Sequence, residues 1–372
     1  MQQVALKSVA FTPKELKSLK TDCQLGLARF SPCGKFLFAG GLDGTVRRWD
    51  AASNELSELP PLRGHGGWVQ AIACSPHTAL APSVPDAPAT ASDDLPRLFT
   101  ADSWGQLRAW RYDDAEPKPA WSINPAHDGW IRSIAVSPDG RRLATCGLDQ
   151  IVRVWSAADG SKQLELTGHN EDVFCVAFHA DGRSLVSGDF KGVIKHWDLA
   201  TGTCQRDLDA RVLFKLDRLQ DVGGVRSLAF NQHGTMLAAG GTTPKVGGNV
   251  QGNPTILVFD WITGMQKHTL SLGGEGDGFV YDMHFHADGF LMAVTSGNPG
   301  AGKFLFIRPR DSQPFFVTTK MPNCHSLAVH PSGTRIAVTA TNGGSNGNGR
   351  QLKNGEYAGN WSPVHIWELP QG

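Results

Sequence analysis

Several groups in this chain have the residue types for chemistry. His127, Thr145 and Asp149 offer a base, a hydroxyl and a carboxylate, the makings of a nucleophilic triad. Asp172, Asp282, Asn323 and His325 could supply oxygen and nitrogen ligands to a metal. His284 and His286 are two residues apart and share a face if their segment is a strand. Gly297-Asn298-Pro299-Gly300-Ala301-Gly302-Lys303 has the composition of a phosphate-cradling loop. Each reading meets an obstacle. A nucleophile needs access to substrate and an oxyanion site, and nothing in the pattern supplies either. No HExxH or CxxC motif supports zinc. The glycine stretch matches neither GxxxxGK[ST] nor GxGxxG followed by a helix. His286 falls in a turn where other units place Ser31, Ser137 or Asn231, a position suited to a small polar cap.

The elements that must position these residues repeat. A short apolar strand runs seven times into the same kind of turn: Ser31-Pro32-Cys33-Gly34, Ser75-Pro76-His77, Ser137-Pro138-Asp139-Gly140, His179-Ala180-Asp181-Gly182, Asn231-Gln232-His233-Gly234, His286-Ala287-Asp288-Gly289 and His330-Pro331-Ser332-Gly333. The unit is clearest at 127–169. Strands are predicted over Ile131 to Val136, Arg142 to Cys146, Ile151 to Trp155 and Gln163 to Leu166, before Gly168-His169 opens the next unit. A four-stranded meander this small cannot bury both faces alone, so it must stack on its neighbours.

Composition narrows the function. Lys plus Arg and Asp plus Glu are 35 each, so no global cationic field is present to hold nucleic acid or an anionic membrane. No window approaches the roughly 18 apolar residues of a membrane span, and the N-terminus lacks the pattern of a secretory signal, so the expectation is a cytoplasmic protein. The seven cysteines are Cys23, Cys33, Cys74, Cys146, Cys175, Cys204 and Cys324. They have no fixed spacing and read as reduced core residues, although Cys23 and Cys33 could pair in an oxidising compartment.

Gly64-His65, Gly168-His169 and Ala126-His127 precede first strands, and Trp49-Asp50, Trp197-Asp198, Trp110, Trp155 and Trp367 close third strands. In these elements and their order, the chain resembles the WD-repeat β-propellers related to the G-protein β subunit. The resemblance implies an all-β, seven-bladed β-propeller of four-stranded antiparallel blades in one domain over 1–372. The approximate repeats are 21–64, 65–126, 127–168, 169–210, 222–272, 277–320 and 323–369. The last repeat stops a strand short, so residues 2–11 are expected to supply its outer strand and close the ring. The resemblance also assigns His127, Thr145, Asp149 and Trp155 to a buried structural tetrad. Blades two and four keep His65, Thr100, Trp110 and His169, Ser187, Trp197, but Trp104 and Lys191 stand at the turn position of the aspartate.

Blades five to seven depart together. They have enlarged turns at 242–254, 296–302 and 342–363, and Phe259 and Phe306 stand near the tryptophan positions. A proline-rich insertion at 77–90 and a long connection at 206–224 complete the irregularities. Where first strands begin, near the channel entrance, stand Gln24, Trp68, Trp130, Asp172, Gly224, Phe279 and Asn323. Two residues later come Gly26, Gln70, Arg132, Phe174, Arg226, Tyr281 and His325. Aromatic and arginine side chains are enriched at interface hot spots. Trp68, Trp130, Arg132, Phe174, Arg226, Phe279, Tyr281 and Trp361 are therefore the expected partner-binding residues. The expected function is a non-enzymatic scaffold for a protein or peptide, without cofactor, acting as a monomer or as a subunit of a hetero-complex. The alternative is a lactonase-like propeller hydrolase, with Asp172, Asp282, Asn323 and His325 at the channel.

Overall fold

A computed structural model describes residues 12–76, 98–217, 220–245, 252–298, 300–318, 321–341 and 361–370. Strands dominate, and they form seven four-stranded antiparallel sheets plus one short hairpin. Each first strand packs on the first strands of the neighbouring blades, and that of the seventh returns to that of the first, which makes the array a closed ring. The chain is a seven-bladed β-propeller.

The strands form where the sequence alternates or runs apolar between glycine turns. In the third blade, Ile131–Val136, Arg142–Gly147, Val152–Ser156 and Lys162–Leu166 pair in sequence order. Second strands are the most buried: Leu143, Ala144, Thr145 and Cys146 are all closed to solvent, because both of their faces are covered by adjacent blades. Fourth strands lie on the rim and bury only one side, as the pattern of Lys162–Leu166 shows. Core clusters span blade boundaries. Leu257 and Phe259 of blade five pack with Cys175, Val186 and Ile194 of blade four. The turn histidines add polar latches on the same scale. His330 Nε2 donates to Gly34 O of the first blade at 3.0 Å, and His179 Nε2 to Gly234 O of the fifth at 2.9 Å.

The outer strand of the seventh blade is Lys14–Leu19, antiparallel to Val364–Glu368 with Leu19 opposite Val364 and Lys14 opposite Glu368. The N-terminal segment thus completes the last sheet, but through residues 14–19; the segment 2–11 expected in that role lies outside the described residues. The seam is reinforced by polar contacts. Glu15 Oε1 and His365 Nδ1 are 2.7 Å apart, Thr21 Oγ1 donates to Ser362 O at 2.6 Å, and Leu25 N donates to Ser362 Oγ at 3.0 Å.

Two of the irregular segments acquire defined form. The connection at 206–224 contains a hairpin, Phe214–Asp217 against Gln220–Gly223, anchored by buried Leu213. The enlarged turn of blade five extends its ladder, with Thr242 opposite Pro254 and Pro244 opposite Gly252. In blade six, Asn323 clamps the loop: its Nδ2 donates to Gly297 O at 3.0 Å, and its Oδ1 accepts from Gly297 N at 3.2 Å. A Cβ on Gly297 would meet the Asp277 backbone, and one on Gly302 the Pro322 carbonyl, so close approach of neighbouring backbones accounts for these glycines. The insertion at 77–90 and residues 342–360 of the third loop lie outside the described residues.

Candidate interaction face at the channel mouth

Three tetrads are built, not one. In blade three, His127 Nδ1 lies 2.9 Å from Asp149 Oδ1 and His127 Nε2 lies 2.7 Å from Thr145 Oγ1. Trp155 Nε1 donates to the same hydroxyl at 2.8 Å. Blade two repeats this with His65, Thr100 and Trp110, and its carboxylate is Asp102, 3.0 Å from His65 Nδ1. Blade four uses Asp189, 2.9 Å from His169 Nδ1, with Ser187 and Trp197. This corrects the expectation that Trp104 and Lys191 break the pattern: the aspartate has moved from the turn to the end of the second strand, two residues earlier. Burial lowers the pKa of His65 and His127, so both rings are neutral, donate through Nδ1 and accept at Nε2. All three imidazoles are closed to solvent, which leaves the His, Thr and Asp groups no access to substrate.

The channel mouth is built differently. In six blades the ladder between first and second strands slips near the first-strand start, for example between Ile131 and Ser133, Val173 and Cys175, and Val280 and Asp282. The skipped residues include Gln70, Arg132, Phe174, Tyr281 and His325. A β-bulge leaves its extra residue out of the ladder and re-aims its side chain. In blade five, Arg226 sits one residue before its strand, with its N–H donating to Gly240 O at 2.8 Å.

These side chains touch in sequence around the opening. The rings of Trp68 and Trp130 meet edge to face at 5.7 Å. The Arg132 guanidinium lies 3.6 Å from the Trp130 centroid and 5.2 Å from that of Phe174. Arg226 is 4.1 Å from the Phe174 centroid and 5.3 Å from that of Phe279. Phe279 then meets Tyr281, and Tyr281 meets His325 at 5.6 Å. Seven of the eight anticipated residues thus form one belt. Trp361 is half-buried at the closure seam and, among the described residues, makes no ring contact with the belt. Trp68 and Tyr281 are 47% and 41% exposed, which opens the belt to solvent at its Trp68 end and again at Tyr281.

Sequence reasoning missed Trp104 and Phe190. Trp104 is 73% exposed, and its turn is tied to Trp68 by Ser103, whose N–H donates to Trp68 O and whose hydroxyl accepts from Trp68 N. The signal was present in the sequence: a large apolar ring at a turn tip, read only as a lost aspartate. Phe190 packs on Phe174 at 5.5 Å and on Phe214 of the inserted hairpin at 5.8 Å.

The anticipated metal ligands are already engaged or held apart. Asp282 accepts from Arg29 at 3.0 Å and from Leu327 N at 3.0 Å, and Asn323 is spent on Gly297. Burial lowers the His325 pKa to about 4 and raises that of Asp172. Among the described residues, no group of three or more His, Cys, Asp or Glu side chains is arranged to hold a metal ion. The seven cysteines are free, and Cys146, Cys175 and Cys324 are buried. No described helix is long and apolar enough to cross a membrane.

Comparison with known proteins agrees with this architecture. The family model for the WD domain, G-beta repeat matches residues 14–50, 118–156 and 160–198. The nuclear distribution protein PAC1 of Arthroderma benhamiae is 26% identical over 152 residues, covering 39% of this chain and 32% of that protein. The protein transport protein SEC13 of Chaetomium thermophilum is 36% identical over 120 residues, covering 31% and 34%. The general transcriptional corepressor TUP1 of Saccharomyces cerevisiae is 35% identical over 57 residues, 15% of this chain and 8% of that one. The matched region spans about a third or less of each relative's length. Its seven sheets close into a ring and three of its stretches match the WD repeat, so the chain is a seven-bladed β-propeller with WD repeats at residues 14–50, 118–156 and 160–198.

Proposed function

We propose that this propeller is a non-enzymatic scaffold that binds a protein or peptide partner through the face bearing the channel mouth. The observation that carries the reading is the continuous belt from Trp68 to His325, with Trp68, Trp104 and Tyr281 presented to solvent. Exposed aromatic rings joined by arginines on one surface are the composition of an interface core, and single scattered apolar residues are not. The 206–224 connection beside Phe190 enlarges the same face with Val212, just before the hairpin, and Leu216 within it, 52% and 60% exposed. The repeats and the WD-repeat relatives support protein partners in general. A cytoplasmic location belongs to the same proposal and rests on seven free cysteines together with the neutral charge balance.

The test is quantitative affinity capture with mass spectrometry, using wild type, the double substitution Trp68→Ala with Tyr281→Ala, and Ile262→Ser. Ile262 is 81% exposed on a turn between third and fourth strands, at the opposite end of the blades. The expected result is a set of proteins lost with the double substitution and retained with Ile262→Ser, at unchanged melting temperature. A set retained by both variants would place the interface elsewhere.

A further inference from the structure

Arg132 and Arg226 are unlike Arg29, the third arginine lining the central channel. Arg29 has a carboxylate partner in Asp282 at 3.0 Å. Arg132 and Arg226, among the described residues, form no ion pair and no hydrogen bond through their guanidinium groups, and the Nε atom of each is buried without a partner. Trp130 Nε1 between them and Trp68 is buried and unpartnered too. Burial and mutual repulsion lower the Arg132 pKa to about 10, and burial lowers that of Arg226; a guanidinium keeps its proton in proteins at neutral pH. A desolvated charge with no counter-ion is costly, and natural structures pair such groups or use them. Aromatic faces compensate only part of this cost and leave the N–H edges free. Below the mouth lies a cavity of about 460 Å³ lined by both arginines, Phe174 and Tyr281.

We propose that Arg132 and Arg226, held by the Trp130, Phe174 and Phe279 rings, form a site for the carboxylate side chain of an acidic peptide entering the channel mouth. This rests on the top-face reading above and specifies its chemistry. The charge count favours a monoanion. Asp172 lies close enough to Arg132 for its charge to act on that guanidinium without forming an ion pair, so about one positive charge of the two is left to be matched. A phosphate dianion would exceed that and be repelled by Asp172. The planar forks of arginine suit a carboxylate, and the flanking rings suit an aromatic or aliphatic neighbour in the peptide.

The test is fluorescence polarisation of the full chain with three synthetic peptide sets of randomised flanks, carrying a fixed central Glu, Gln or phosphoserine. Glu peptides are expected to bind roughly tenfold or more tightly than their Gln counterparts, and to weaken as salt rises. Arg132→Gln and Arg226→Gln should each remove the Glu preference while melting temperature holds; Arg226→Lys, which keeps the charge without the fork, should retain part of it and guards against a folding defect. A preference for phosphoserine over Glu, or a Glu preference that survives both Gln substitutions, overturns the site. Equal binding of Glu and Gln peptides, lost with Trp68→Ala and Tyr281→Ala, overturns this inference and leaves the top-face reading intact. Binding of none of the sets also overturns it.

Discussion

Asp189 Oδ2 lies 2.9 Å from His169 Nδ1, and the imidazole spans from there to Ser187 Oγ at 2.7 Å. The carboxylate also accepts from the backbone N–H groups of Lys191 and Val193 at 3.0 and 2.9 Å, so it fixes the turn as well as the ring. Asp189→Ala should leave a buried N–H and two turn amides without partners, at a cost of about 2–4 kcal/mol. Lys191→Ala, which changes only an exposed contact with Glu171, should stay within about 0.5 kcal/mol. Chemical denaturation of the two variants checks the contrast.

Acid should act through the same networks. Burial holds His65 and His127 below the ordinary histidine pKa. A depressed folded pKa means that the unfolded chain binds more protons, so this stability is complete above about pH 6.5 and is lost as pH falls. Burial alone would raise Asp102, but hydrogen bonds from His65 and the turn hold it below the usual carboxylate range, which adds a second loss beginning near about pH 4. Melting temperature should be flat from about pH 8 to 7 and fall below about 6.5. The double variant His65→Gln with His127→Gln should melt lower at neutral pH yet vary less between about pH 6.5 and 5. A wild-type melting temperature that holds to pH 5 would contradict this.

Trp367 and Trp155 occupy equivalent third-strand positions but differ in their indole partners. Trp155 donates to Thr145, whereas Val338 stands at the corresponding place beside Trp367, whose Nε1 is buried and unpartnered. Blades five and six resolve the same conflict with Phe259 opposite Leu237 and Phe306 opposite Met292, where Ala239 and Val294 replace the hydroxyl. Trp367→Phe should therefore cost less than Trp155→Phe by about 1 kcal/mol, because only the second removes a hydrogen bond. Equal losses in thermal or urea unfolding would refute the assignment.

The seam predicts a local weak point. Leu19 is buried with Leu25, Ala28 and Val364, so Leu19→Asp should lower the unfolding free energy by about 3 kcal/mol or more. Ser18→Thr, at the exposed neighbouring position of the same strand, should change it by less than about 0.5 kcal/mol. Native-state hydrogen exchange should show the amides of Val364–Glu368 losing protection first in the Leu19 variant.

The ring and its blades were legible because the seven turns recur with strands between them. The channel-mouth residues were legible for a similar reason: every first strand enters from the same side, so aligned positions must surround one opening. The bulges that aim Arg132, Phe174 and Tyr281 into it were not, since a slipped ladder leaves no mark on an apolar strand. Asp102 and Asp189 were missed because a strand repeats its facing every two residues, so a carboxylate can reach the same imidazole from the strand end or from the turn. The closing strand was sought at Val4 to Phe11 for its apolar run. A rim strand needs only one buried side, which charged Lys14–Leu19 provides with Leu16 and Leu19.

The seam also imposes an order of events on the nascent chain. Glu15 and His365 meet across 350 residues of sequence, and the outer strand of the last blade is translated before the strand it pairs with. Six blades can assemble from neighbouring segments as they emerge, whereas Lys14–Leu19 has no sheet to join until Val364–Glu368 exists. During translation that edge is the one a chaperone would have to shield, and of the ring's described strands the first to be translated is the last to find its place.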